Sequence, residues 1–201
     1  ALPLMDQPRT VSERAIAAYA LSHRAMAAYL VEDHELGAVF FAQSIEALRK
    51  AATRTMLVIV LGDAAGWLLR DNQIDAARQL LHEALHVCRH SPVSWAHLTP
   101  LCGLALTDAL DGMSSRAARR LGAVAALASR AGLGSAPNFQ PTIDHAESLA
   151  MGALGQSTFL AEWESGHQDP MPVVAEALST ARRATEAPGD EMPTRRMRLT
   201  P

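Results

Sequence analysis

Three stretches of this chain align without gaps at a fixed offset of 40 residues: EDHELGAVFFAQSIEALR from Glu32, NQIDAARQLLHEALHVCR from Asn72 and GMSSRAARRLGAVAALAS from Gly112. The same offset holds in the segment before each of them, where Leu21, Leu61 and Leu101 coincide, as do Ala25, Ala65 and Ala105. In the aligned stretches Phe41, Leu81 and Leu121 share one position, and Ile45, Leu85 and Ala125 another. Each two positions are four apart, which stacks them on one helix face, and the small alanine lets a neighbouring helix come close. Every unit is therefore a pair of antiparallel amphipathic helices. Neither helix can bury its stripe alone, so the units must stack.

The fold class that follows is all-α: helical spacing runs nearly everywhere, and only Val58, Ile59 and Val60 are β-branched enough to suggest a strand. The expected layout is a helical-repeat domain over residues 1–186 with pairs at about 11–50, 54–90 and 93–132. A C-terminal cap at 142–186, outside the 40-residue register, and a polar linker at 187–201 complete it. The cap divides into helices near 142–154, 156–166 and 171–186, after a Gly- and Pro-rich loop at 133–141. Asp33 and Asn72 are good N-cap residues, Asp75 suits a first turn, and Ser114 and Ser115 open the third second-position helix. Pro100 falls inside the helix expected over 93–110 and predicts a kink or break there.

Charge and composition narrow the function classes. A formal net charge of -3 gives no basic footprint, so direct nucleic-acid binding by this segment is not expected. Cys88 and Cys102 are too few for a disulfide framework and fit a reducing, cytoplasmic setting. The most apolar run, residues 56–69, contains Asp63 and is short of the roughly 20 residues a membrane-spanning helix needs. Ala1 in place of Met fits a trimmed terminus or, as the favoured reading, a piece of a longer protein. An array cut from its neighbours exposes an apolar end near residues 11–30, which makes a homodimer plausible.

His82, Glu83 and His86 spell HExxH, the pattern in which two histidines on one helix face hold zinc and the glutamate activates water. The extended zinc-protease motif does not follow, since His90 comes one turn too early. The repeat aligns His82 with Ala42 and Gly122, Glu83 with Gln43 and Ala123, and His86 with Glu46 and Ala126. The helix is thus explained without chemistry, and His82, His86 and His90 read as a partly solvated ridge. No catalytic residue, metal ligand or cofactor is assigned, and no Ser-His-Asp or Cys-His set can be nominated. The candidate ligand-binding residues are Tyr19, His23, Asp63 and Trp67, which sit off the Leu21 and Ala25 stripe on the first helix of each pair. Trp95 and Trp163 are weaker candidates, with core packing the commoner role for Trp163. Arg116, Arg119 and Arg120 read as a solvated helix face, and Arg195, Arg196 and Arg198 fall in the linker.

The pair layout, with close-packing alanines and a Leu-Leu-x-x-Ala-Leu second helix, resembles degenerate tetratricopeptide repeats, although those have a 34-residue period. The stretches RAARRLGAVAALASRAG (116–132), MGALGQSTFLAEWESG (151–166) and PMPVVAEALSTAR (170–182) resemble the end of the helical-repeat region in bacterial LuxR-type regulators with a STAND-class NTPase module. The matching residues are Arg120 to Ala123, Leu154, Gly155, Phe159, Trp163, Gly166, Ala175, Ala177 and Leu178. In such regulators the linker leads into a helix-turn-helix that often begins Leu-Thr-Pro, and this chain stops at Leu199, Thr200 and Pro201. The resemblance implies a right-handed superhelix that binds a small-molecule effector or protein partner. It also implies NTPase and DNA-binding domains elsewhere in the same polypeptide. Neither lies here: no GxxxxGK[ST] loop is present, and Lys50 is the single lysine. A free-standing scaffold for protein partners and a zinc hydrolase using His82, Glu83 and His86 remain alternatives.

Overall fold

Alanine and leucine dominate the periodic segments, and these strong helix formers build helices through most of the described residues. A computed structural model describes residues 10–90, 95–132 and 139–186. The expected linker, with its arginines, and most of the expected loop at 133–141 lie outside the described residues. Among the described residues there are nine α-helices and no strand: α1 (Val11–Leu30), α2 (His34–Ala51), α3 (Arg54–Arg70), α4 (Ile74–Cys88), α5 (Leu98–Leu110), α6 (Ser114–Arg130), α7 (Gln140–Leu154), α8 (Gln156–Gln168) and α9 (Pro170–Glu186). None of them is long and apolar enough to cross a membrane. Val58, Ile59 and Val60 lie within α3.

The turns inside the first three helix pairs share one backbone geometry at 40-residue intervals. Glu32, Asn72 and Gly112 all take positive φ, 62°, 57° and 76°. The amides that follow reach back to equivalent carbonyls: Asp33 to Ala28 (2.9 Å), Gln73 to Leu68 (2.8 Å) and Met113 to Asp108 (2.8 Å). Each is a Schellman-type closure in which a left-handed residue ends the helix and satisfies its last carbonyls. Asp33 caps α2 as its residue type suggests, accepting from the Leu36 amide at 3.1 Å. Asn72, expected as the N-cap of α4, is instead the left-handed residue that closes α3, and Gln73 takes the cap position. Asparagine suits both roles, because its short amide tolerates positive φ, and the turn claims it first.

Pro100 does not kink a helix. A short 3-10 turn at Trp95–His97 precedes α5, and Pro100 is the third residue of that helix. There its missing amide is one of the first-turn donors that has no intrahelical acceptor, so the ring costs nothing.

The aligned stripe positions form the core. Ala25, Ala65 and Ala105 are fully buried, and Phe41, Leu61, Leu81, Leu85, Leu101 and Leu121 are buried with them. Leu21 and Ala125 are only half-buried. At the other end of the molecule α8 crosses α6 at two glycines. A Cβ at Gly122 would collide with the Trp163 carbonyl, and one at Gly166 with the Arg119 carbonyl. Trp163 is half-buried, packs on the core around Leu121 and Phe159, and stacks on His167 at 4.7 Å. Helix α9 turns back to pack on α4 and α6.

The pair α5/α6 also buries charge. Asp108 is 1 % exposed and Arg120 3 %. Arg116 grips both Asp108 oxygens, Nε at 2.9 Å and Nη2 at 2.6 Å, while Arg120 Nη1 lies 2.5 Å from the carboxylate and donates to the Leu104 carbonyl at 3.3 Å. The expectation of a solvated arginine face therefore fails for Arg120: its register partners are the half-buried Phe40 and the buried Leu80, so the position is at least partly covered in each pair.

Two stability changes follow, measurable by chemical denaturation. Asp108→Asn leaves Arg120 buried without a counter-charge and should cost about 3–5 kcal/mol. Gly122→Ala pushes α8 off α6 and should cost about 1–3 kcal/mol.

Candidate functional site

The first helices of adjacent pairs, α1 and α3, lie side by side and bring some of the candidate residues together. One turn apart on α1, the Tyr19 and His23 rings meet edge to face at 4.8 Å. His23 Nδ1 lies 3.2 Å from the Tyr19 carbonyl oxygen, so an Nδ1-bound proton is donated there and Nε2 is left for other partners. Across from them on α3, the carboxyl of half-buried Asp63 is pushed up to about 6, mainly by burial, with the charge of His23 opposing the shift. A carboxyl whose pKa is raised by burial and an imidazole thus lie together beside an aromatic ring. Such a group can exchange protons with, or hydrogen-bond, a polar ligand.

Trp67 belongs to a different group. Its indole stacks on Tyr29 at 4.7 Å and 14°, and the Arg70 guanidinium sits 4.6 Å from its ring centre. The Tyr29 ring also meets the His34 edge at 5.3 Å, and His34 Nδ1 lies 3.0 Å from an Asp71 carboxylate oxygen. Burial, helped by the nearby Asp71 carboxylate, pushes the Tyr29 hydroxyl up to about 12. Gly37 makes room for this ring, since a Cβ there would strike it. Tyr29, His34 and Asp71 were not among the sequence candidates. The signal available was the pairing of an aromatic residue at the end of α1 with a glycine in the first turn of α2.

The HExxH residues do not converge. His82 is 7 % exposed, contrary to a solvated ridge: α5 and α9 pack on α4, a cover that the register of one helix pair does not reveal. Burial, followed by the charges of Arg120, Arg78 and Arg116, holds its imidazole down to about 4, so it is neutral at physiological pH. Both Glu83 oxygens are taken by Arg49 of α2, at 2.7 and 2.6 Å. His86 Nδ1 lies 3.1 Å from the Thr185 hydroxyl of α9, and His90 is exposed beyond the helix end. Among the described residues no three His, Cys, Asp or Glu side chains are grouped to hold a metal ion. Cys88 and Cys102 are free and buried, with thiols pushed up to about 11 and 12 by burial, so neither is a thiolate near neutral pH.

No protein-family model, curated protein or solved structure matches this chain.

The two shifted groups pull stability in opposite directions with pH. Asp63 has a folded value raised above its ordinary 3.8, so the fold binds the extra proton and loses stability as pH rises through the interval from 3.8 to about 6. His82 has a folded value below its ordinary 6.5, so stability is lost as pH falls from 6.5 towards about 4. Asp63→Asn should therefore raise the melting temperature at pH 7 and steepen the decline on acidification, which thermal melts across this range will read directly.

Proposed function

We propose that this chain is a non-catalytic, effector- or partner-binding regulatory domain of a LuxR-type, STAND-like transcriptional regulator, built as a tetratricopeptide-like right-handed superhelix. The observation that carries the reading is the turn geometry repeated at Glu32, Asn72 and Gly112, with the same backbone hydrogen bonds at each. A unit used three times at a constant spacing builds an extended surface, and extended surfaces of stacked helix pairs serve recognition. The Tyr19, His23 and Asp63 group supplies polar and aromatic character on the first helices of the first two pairs, the side that lines the concave face in arrays of this kind. Coupling to attached NTPase and DNA-binding modules would then arise from differential affinity of the ligand for two states of the whole regulator.

The non-catalytic part of the reading is supported by the condition of HExxH. A zincin needs its glutamate free to activate water and its two imidazoles on an open coordination site. Here Glu83 is committed to Arg49, and His82 sits behind three arginine charges that also disfavour a divalent cation.

Sequencing the source reading frame on both sides tests the regulator assignment: a nucleotide-binding module upstream and a helix-turn-helix downstream are expected, and a frame with neither would sink it. For catalysis, the zinc-supplemented protein should hydrolyse casein no faster than buffer, and Glu83→Gln should leave that background unchanged. A zinc-dependent rate abolished by Glu83→Gln would establish the hydrolase instead.

A further inference from the structure

We infer that the cleft at the start of α6 is a phosphate-binding site, for the free dianion or for the phosphomonoester of a small ligand. The cleft has a volume of about 390 Å³ and is lined by Gly112 to Arg116, Arg119, and Ala153 and Leu154 of α7. It opens at the N-terminus of a 17-residue helix, where the amides of Ser114, Ser115 and Arg116 have no intrahelical acceptor and the helix dipole favours negative charge.

The two preceding pairs provide that negative charge themselves. Asp33 caps α2 and Glu35 lies in its first turn; Asp75 lies in the first turn of α4. At the equivalent positions of the third pair stand Met113 and Ser115, and α6 has neither a side-chain cap nor an acidic first turn. A second observation is independent of the helix end. Ser114 is 5 % exposed, lines the cleft, and its hydroxyl forms no hydrogen bond within the described protein. The hydroxyl oxygen is not sealed from solvent, so on this otherwise buried residue it is open to donate a hydrogen bond to an anion in the cleft.

The charges around the cleft set the ligand class. Arg116 is already held by both Asp108 oxygens, and Asp111 is engaged by Arg78 at 2.5 Å. Arg119 is the more available cation: its side chain is 45 % exposed and it forms only a loose ion pair with Glu162, at 3.6 Å and beyond hydrogen-bonding distance. One arginine, one serine hydroxyl and a set of convergent amides match a compact oxyanion with several acceptor oxygens. Met113, Ala153 and Leu154 give the cleft an apolar side on which the carbon portion of an ester can rest. The site does not depend on the regulator reading and would stand if that reading failed.

Titration of ¹⁵N-labelled protein with inorganic phosphate at constant ionic strength is the test. Saturable shifts of the Ser114, Ser115 and Arg116 amides are expected, with affinity reduced about tenfold in Ser114→Ala and in Arg119→Gln, the loss typical of one hydrogen bond to a charged group. Arg119 is a surface residue, so its variant keeps the test valid if Ser114→Ala folds poorly. Phenyl phosphate binding more tightly than inorganic phosphate would assign the site to an ester, and equal affinity to the free ion. No saturable shift, or shifts equally strong in both variants, would mean an adventitious ion only and would overturn the proposal.

Discussion

The carboxylate of Asp108 is the fixed point around which the C-terminal half of the molecule is arranged. It binds two guanidinium groups in the interior, so the site as a whole carries excess positive charge and burial holds the Arg120 guanidinium below its usual range. That excess has reach. It adds to burial in keeping His82 of α4 uncharged, and the Glu176 carboxylate on α9 acts on both arginines in the favourable sense. Helices α4, α5, α6 and α9 are therefore linked by one electrostatic balance. Ion pairs of this kind add little net stability over an apolar replacement, but a missing member is expensive, and in this fold the penalty specifies how the four helices fit.

Much of the architecture was legible because a 40-residue offset constrains two helices at once. Positions aligned as Ala25, Ala65 and Ala105 are buried alike, since a stacked pair presents the same face to its neighbour each time. What the register could not provide is contact beyond the neighbouring pair. His82 aligns with Ala42 and Gly122 and looked solvated, yet α9 returns from far along the sequence to the helix that carries it. Asp108 and Arg120 could have been found: they stand where the earlier pairs have Ala28 and Leu68, and Phe40 and Leu80. Two opposite charges entering apolar positions in the same pair indicate that they meet.

The candidate binding residues divide for a geometric reason. Tyr19 and His23 are four apart and so share a face, as do Asp63 and Trp67 on α3. Tyr29 lies at the far end of α1, and its ring takes the Trp67 indole into a local aromatic stack, leaving Asp63 to the Tyr19 and His23 end. Sequence spacing sorts side chains by face and height along one helix. The competition between two neighbours for the same ring is decided only when the helices are placed.

The return of α9 to α4, with Thr185 beside His86, also changes how the chain must fold. A simple stack of helix pairs has only local contacts and can fray from either end, one unit at a time. Joining the last helix to the fourth closes a loop of nearly a hundred residues, so the third pair and the cap cannot melt away without undoing a contact with the second pair. The closure raises the mean sequence separation of native contacts, which slows folding. It also couples the later helices into a single cooperative block, while α1 and α2 lie outside the loop.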